Sequence, residues 1–195
     1  MKGSNELAKE LLAKIFTSGT LKLISTTLEK LTQNKGFKIH TNEIIGDETL
    51  TDQQKRNQLL YIIKSLENPI LYDFFSDTLA DNSFWLFSSG QINYFEHFVK
   101  EFQTLIQDVK VIKLSTAIPL SPEDLKAIAN NFTKWYGSKT IIHHEVNGAI
   151  VGGAQIQIEN LVFDYSIRSK FRHFTKEWLK SVGETQTTLG FHDSF

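Results

Sequence analysis

The sequence predicts an α+β chain in which an all-helical N-terminal bundle, residues 1–107, precedes a small α/β domain, residues 108–182, with a sheet of four strands or fewer. Three observations lead there. Apolar residues recur every three or four positions through nearly the whole first half, which places them on one face of a helix. After Asp108 the period shortens to strand alternation, and Val109 to Ala117 is rich in β-branched residues. From there the pattern runs strand, helix, strand, strand, short strand, helix. Residues 183–195 are polar apart from Leu189, Phe191 and Phe195 and read as a mobile tail.

In the first half, Leu7, Leu11, Leu12, Ile15 and Phe16 share one helical face, and Leu21, Ile24, Leu28 and Leu31 share the next. Ser18-Gly19-Thr20 separates these two helices. Asn34-Lys35-Gly36 stops the second, as residues that tolerate left-handed geometry should. Phe37 to Leu50 reads as irregular. Thr51-Asp52-Gln53-Gln54 has the spacing of a capping box, so a helix is expected from Asp52 to near Leu66. Pro69 disfavours helical geometry at Asn68 and ends that helix. Another follows, carrying Leu71, Phe74, Phe75 and Leu79. Ser89-Gly90 is expected to cap the last helix of this half, where Ile92, Phe95, Val99, Phe102 and Ile106 repeat before an end near Gln107. Short loops between such helices imply an antiparallel bundle.

In the second half, Ser121-Pro122-Glu123-Asp124 supplies an N-cap, a proline at the first helical position and acidic residues in the first turn. The helix it starts carries Leu125, Ile128, Phe132 and Trp135 and stops near Gly137. Thr140 to Val146 and Ile150 to Ile158 read as strands joined around Asn147-Gly148, a strong hairpin signal. Leu161-Val162-Phe163 is a short apolar strand. Ser166 starts a final helix with Ile167, Phe171, Phe174, Trp178 and Leu179 on one side.

Composition narrows the function classes. The formal net charge of −1 and pI near 6.6 supply no global field to draw the chain onto nucleic acid or acidic lipid. The absence of Cys excludes a disulfide framework, thiolate zinc sites and a cysteine nucleophile. MKGSNELAKELLAKIF mixes Lys and Glu among its apolar residues and reads as a mature helix, not a secretory signal. No stretch reaches the roughly 18 to 20 uninterrupted apolar residues of a membrane span. The glycosylation sequon at Asn131-Phe132-Thr133 therefore has no chemical meaning here.

The candidate sites are weak. Neighbouring side chains in a strand point to opposite faces, so His143 and His144, next to Glu145, do not converge easily on one ion. Gly152-Gly153 lacks the rest of a dinucleotide or phosphate-loop pattern, and paired strand glycines more often mark a bulge or a close backbone approach. Phe84, Trp85, Phe87, Phe95 and Phe98 read as core packing in preference to a ligand cage. Asp164 and Ser166 imitate parts of a hydrolase triad without a nucleophile elbow, so helix capping accounts for them better. Arg168, Lys170, Arg172 and His173 make the last helix basic. No catalytic, cofactor-binding or metal-binding residue is expected.

Three stretches of the second half carry a resemblance. They are Thr116-Ala117-Ile118-Pro119-Leu120-Ser121-Pro122-Glu123-Asp124, Asn147 to Ile158 with its Gly152-Gly153, and Leu161-Val162-Phe163-Asp164-Tyr165-Ser166-Ile167-Arg168. In order and spacing this half resembles the delta subunit of bacterial F-type ATP synthase, called OSCP in mitochondria. Asn147 stands where that family usually has Asp, and Tyr165 where Gly is common. The first hundred residues match in architecture only, and the usual opening with Tyr-Ala and Ala-Leu-Phe is missing.

The resemblance implies a non-catalytic peripheral-stalk subunit. Its helical domain would cap the alpha and beta subunits of the catalytic head, and its C-terminal domain would hold the membrane-anchored b subunits. Proton or sodium flow would then stay coupled to ATP synthesis. It further implies no cofactor, no direct nucleotide, no nucleic acid, no membrane insertion, and a peripheral place on the cytoplasmic face of the cell membrane or the equivalent organellar inner membrane. The alternative is a nucleic-acid-binding or regulatory adaptor, since small sheets with flanking helices also bind RNA. That reading lacks the paired sheet aromatics and the basic charge. An enzyme built on His143, His144, Asp164 and Ser166 ranks third.

Overall fold

The computed structural model describes residues 2–81, 83–88 and 93–188, with side chains through Leu179 in the last helix. The described residues form eight α-helices, one short 3₁₀ segment and one four-stranded sheet. By packing, the chain divides into two compact units: Met1–Lys110 with Lys126–Ile141, and Val111–Leu125 with Ile142–Phe195.

Six helices run through the first part: α1 (Ser4–Ala13), α2 (Ser18–Gln33), α3 (Lys35–Gly46), α4 (Asp52–Lys64), α5 (Pro69–Ala80) and α6 (Tyr94–Gln107), with the 3₁₀ segment Phe84–Phe87 before α6. Most begin at a side chain that accepts an otherwise unpaired backbone N–H. Thr17 caps α2, Asn34 caps α3 and Asn68 caps α5 with Pro69 behind it. The capping box of α4 forms as expected: Thr51 Oγ1 accepts from Gln54 N at 3.3 Å, and Gln54 Oε1 accepts from Thr51 N at 2.8 Å. Two cations of α4 serve its neighbours' C-termini. Lys55 Nζ donates to the Ile45 carbonyl at 2.7 Å, and Arg56 donates to those of Leu79 and Ala80 at 3.1 Å each. Carbonyls left open at helix ends are thereby satisfied.

The structure departs from the sequence reading at three places here. Residues 35–46, expected to be mostly irregular, form α3, because burying Phe37 and Thr41 offsets the poor helix propensity of its Thr, Asn, His and Gly. Asn34 is extended, with φ −79° and ψ 102°, so it works as the cap shared by α2 and α3 and not as a left-handed stop. Ser18-Gly19-Thr20 opens α2 and does not separate the helices, that task falling to Lys14–Thr17. The cap expected at Ser89-Gly90, with Ile92, lies outside the described residues. Asn93 Oδ1 caps α6, accepting from Glu96 N at 3.1 Å.

The core of this part is aromatic. Phe74, Phe75, Phe98 and Phe102 are fully buried, and the Phe74 and Phe98 rings stack with centroids 5.7 Å apart. Phe37 meets Phe95, and Phe75 meets Phe87, each at 5.4 Å. Of the five aromatics weighed as a ligand cage, Phe87, Phe95 and Phe98 are core, while Phe84 and Trp85 are half-buried and packed against it.

Beyond α6 the elements are β1 (Lys110–Thr116), α7 (Pro122–Tyr136), β2 (Thr140–Val146), β3 (Ala154–Ile158), β4 (Leu161–Asp164) and α8 (Ile167–Thr188). The sheet order is β2-β1-β3-β4. Lys110 N bonds the Lys139 carbonyl at 2.9 Å and Asn147 N the Thr116 carbonyl at 2.8 Å, start beside start and end beside end, so β1 and β2 are parallel. β1 pairs antiparallel with β3, Leu114 opposite Ile156, and β3 antiparallel with β4, Ile156 opposite Phe163.

That order corrects the expected hairpin. The turn itself forms, with Ile150 N on the Asn147 carbonyl and Ala149 N on Asn147 Oδ1, both at 3.0 Å. It does not pair β2 with β3, because β1 lies between them. The strand–helix–strand connection through α7 makes β1 and β2 parallel neighbours. Only the other edge of β1 is then open to β3, so residues 150–153 form a passage between edges and β3 begins at Ala154.

Helix α8 continues through Thr188, past the end near residue 182 that the sequence suggested. Residues 189–195 of the expected tail lie outside the described residues.

Candidate docking surface

The glycine pair and the closing motif, separated in sequence, meet in space. A Cβ on Gly153 would lie 2.4 Å from the Tyr165 carbonyl oxygen and 3.0 Å from Ser166 Cα, and its φ of +85° is one that L residues rarely adopt. A Cβ on Gly152 would lie 2.6 Å from Ile167 Cδ1. Backbone bonds seal the contact, Tyr165 N to the Ala154 carbonyl and Ile167 N to the Gly152 carbonyl, both at 2.9 Å. The pair is a close-approach device that sets where α8 leaves the sheet.

Asp164 and Ser166 complete this junction as caps. Ser166 Oγ accepts from Ser169 N at 3.2 Å at the start of α8, and Asp164 Oδ1 accepts from Ser166 N at 2.9 Å. The Ser166 hydroxyl and N–H, with a smaller contribution from the Arg172 charge, hold the Asp164 carboxyl below its ordinary range. Their mutual hydrogen bonds show capping chemistry, not an activated nucleophile.

His144 points to the opposite face of β2 from His143 and Glu145, as strand alternation requires, so the two imidazoles do not converge. His143 is exposed. His144 Nε2 lies 2.8 Å from Thr116 Oγ1, whose proton goes to the Ile118 carbonyl at 2.6 Å, so His144 is the donor. Glu145 accepts from the Ser115 hydroxyl at 2.8 Å and sits 3.3 Å from Lys113 Nζ, and both depress its pKa. No cluster of His, Asp and Glu able to hold a metal occurs among the described residues.

The feature that stands out is apolar exposure. Ile167, Phe171, Phe174 and Trp178, one stripe of α8, are 50 to 68% exposed, and Leu179 beside them is exposed as well. In β4, Leu161, Val162 and Phe163 are 40 to 64% exposed. Large apolar residues gathered at a solvent-facing surface mark an interaction site far more often than scattered ones do. The sequence reading named every residue of the α8 stripe without seeing that it faces outward. No local signal distinguishes it from a core-facing stripe, since a helix packed on a core carries charges on its other face as well.

Residues 8–177 match the ATP synthase delta (OSCP) subunit family, through both the helical bundle and the sheet. The chain belongs to that family. The delta family comprises peripheral-stalk subunits of ATP synthase, structural components and not catalytic ones. ATP synthase subunit delta of Pediococcus pentosaceus is 31% identical over 134 residues, covering 66% of this chain and 71% of that one. ATP synthase subunit delta 2 of Syntrophotalea carbinolica is 25% identical over 173 residues, 87% of this chain and 92% of the relative. A chain of a Toxoplasma gondii mitochondrial ATP synthase hexamer aligns over 92% of this chain and 98% of its own length, at 13% identity and a TM-score of 0.38, too distant to bear on the fold. The delta-family match begins at residue 8, so it takes in the helical half, where no motif had been legible. Among the described residues no helix is long and apolar enough to cross a membrane.

Proposed function

We propose that this chain is a stator linker of an F1Fo ATP synthase, its helical half bound to the alpha and beta subunits of the catalytic head and its sheet-bearing half to the membrane-anchored b subunits. The observation that carries this reading is the family match across both halves, residues 8–177. The exposed apolar surfaces of β4 and α8 support it, since a linker needs faces kept open for partner helices. The task is mechanical. When the central rotor turns, torque drags the head with it unless a stator resists, and without resistance proton or sodium flow does no synthetic work. The subunit sits on the cytoplasmic face of the membrane, or the matching organellar face, and is held there by its partners. It needs no catalytic, cofactor-binding or metal-binding residue.

Deletion of the gene tests this. Coupled ATP synthesis should be lost while ATPase activity of the detached head persists, and the tagged chain should co-purify with alpha and b subunits. Recovery of nucleic acid without either subunit would overturn the reading in favour of the adaptor alternative.

A further inference from the structure

The first turns of α8 combine an exposed apolar seam with an excess of positive charge. At about 100° per residue, Ile167, Phe171, Phe174 and Trp178 fall within about 60° of arc, with Leu179 about 80° further round at the far end. Their four-three-four spacing is the narrow seam by which one helix meets another, not the broad face of a helix lying in lipid. Arg168 borders the seam on one side, with Arg172 further round the helix on that side, and Lys170 borders it on the other; all three are exposed. Two acidic groups are near. Asp164 engages Ser166 and lies within the field of Arg172, and Glu177 pairs with His173 at 3.2 Å one turn further on. Arg168 and Lys170 at least remain available as flanking charges for a partner, their alkyl stems extending the apolar surface while the charge stays in water.

We propose that α8 docks an amphipathic helix whose apolar seam is flanked by acidic residues opposite the segment Ile167–Phe174, and that Arg168, Lys170 and Arg172 select it. The proposal rests on the stator reading and names the chemistry of the partner helix at the sheet-bearing end. A second copy of the chain is a poor occupant, because juxtaposed α8 helices bring these cations together. An acidic-flanked helix gains attraction at both borders of the segment Ile167–Phe174.

The test uses the full chain and three probes: a synthetic helix of about four heptads with a Leu seam flanked by Glu, the same helix flanked by Lys, and vesicles of phosphatidylglycerol. Fluorescence anisotropy of the labelled peptides should show the Glu-flanked helix binding about tenfold or more tighter than the Lys-flanked one at low salt, with the difference shrinking as salt rises. The triple variant Arg168→Glu, Lys170→Glu, Arg172→Glu should reverse that preference. Phe171→Ala with Trp178→Ala should abolish binding of both peptides, with thermal unfolding confirming that every variant is folded. Equal affinities, a preference untouched by charge reversal, or binding to the vesicles and to neither peptide would each overturn the proposal. In cells the two readings separate. If the wild-type chain fails to co-purify with alpha and b subunits, the stator reading falls. If it co-purifies and the charge-reversed chain does so equally well, only the docking chemistry falls.

Discussion

Helices α6 and α8 carry the same kind of apolar repeat and meet opposite fates. Phe95, Val99 and Phe102 of α6 are buried in an aromatic core, whereas Ile167, Phe171, Phe174 and Trp178 of α8 stand half or more in solvent. Both sets follow three-four spacing and both are rich in Phe. The difference teaches that periodicity identifies an apolar face but not its occupant, which is the fold in one case and, on the reading above, a partner helix in the other.

Substitutions can break or sharpen that contrast. The largest effect is expected in the core: Phe98→Ala or Phe102→Ala should lower unfolding stability by about 3 to 5 kcal/mol in urea titrations, through lost burial and an unfilled cavity. Phe171→Ala in α8 is the matched control and should change stability by less than about 0.5 kcal/mol, as exposed positions do. Equal losses at Phe98 and Phe171 would mean that the α8 stripe is core after all.

Next in size is the junction that launches α8. Gly153→Ala forces a Cβ toward the Tyr165 carbonyl at a positive φ and should cost roughly 1 to 3 kcal/mol or more. Gly152→Ala should cost less, because what it meets is the flexible end of the exposed Ile167 side chain. Ser166→Ala removes the N-cap of α8 and should cost about 1 kcal/mol, read as lost amide protection over the first turn.

The smallest effect concerns pH. Asp164 has a folded pKa below its ordinary value of 3.8, so its contribution is present above that value and is lost as pH falls through the lower folded one. Asp164→Asn should flatten the acid limb of the stability profile by slightly lowering stability above pH 3.8, neutral pH included, while leaving stability below the folded pKa nearly unchanged. An unaltered acid limb would show that the Ser166 bonds to this carboxylate carry no net stability.

Much of this was legible locally. The capping box at Thr51 and Gln54, the Ser121 and Ser166 caps and the bounds of β2 were readable because each depends on a few adjacent residues and on backbone groups that must find partners. The exposed apolar surface of α8 and β4 was legible only as a list of residues. Helix α3 was not read, since its propensity is poor and the burial of Phe37 and Thr41 that offsets it is supplied by the rest of the bundle.

By itself, then, the sequence determined the α+β class, most element types and their caps, and the motifs from Thr116 to Arg168 that carry the family likeness. Only tertiary structure decided the strand order, because a turn at Asn147-Gly148 is compatible with pairing or with passage, and the parallel β1–β2 neighbourhood forbids the pairing. It alone decided that one apolar stripe is core and another is surface. Whether a face finds a partner within its own chain depends on residues far away in sequence, and a local period carries no record of them.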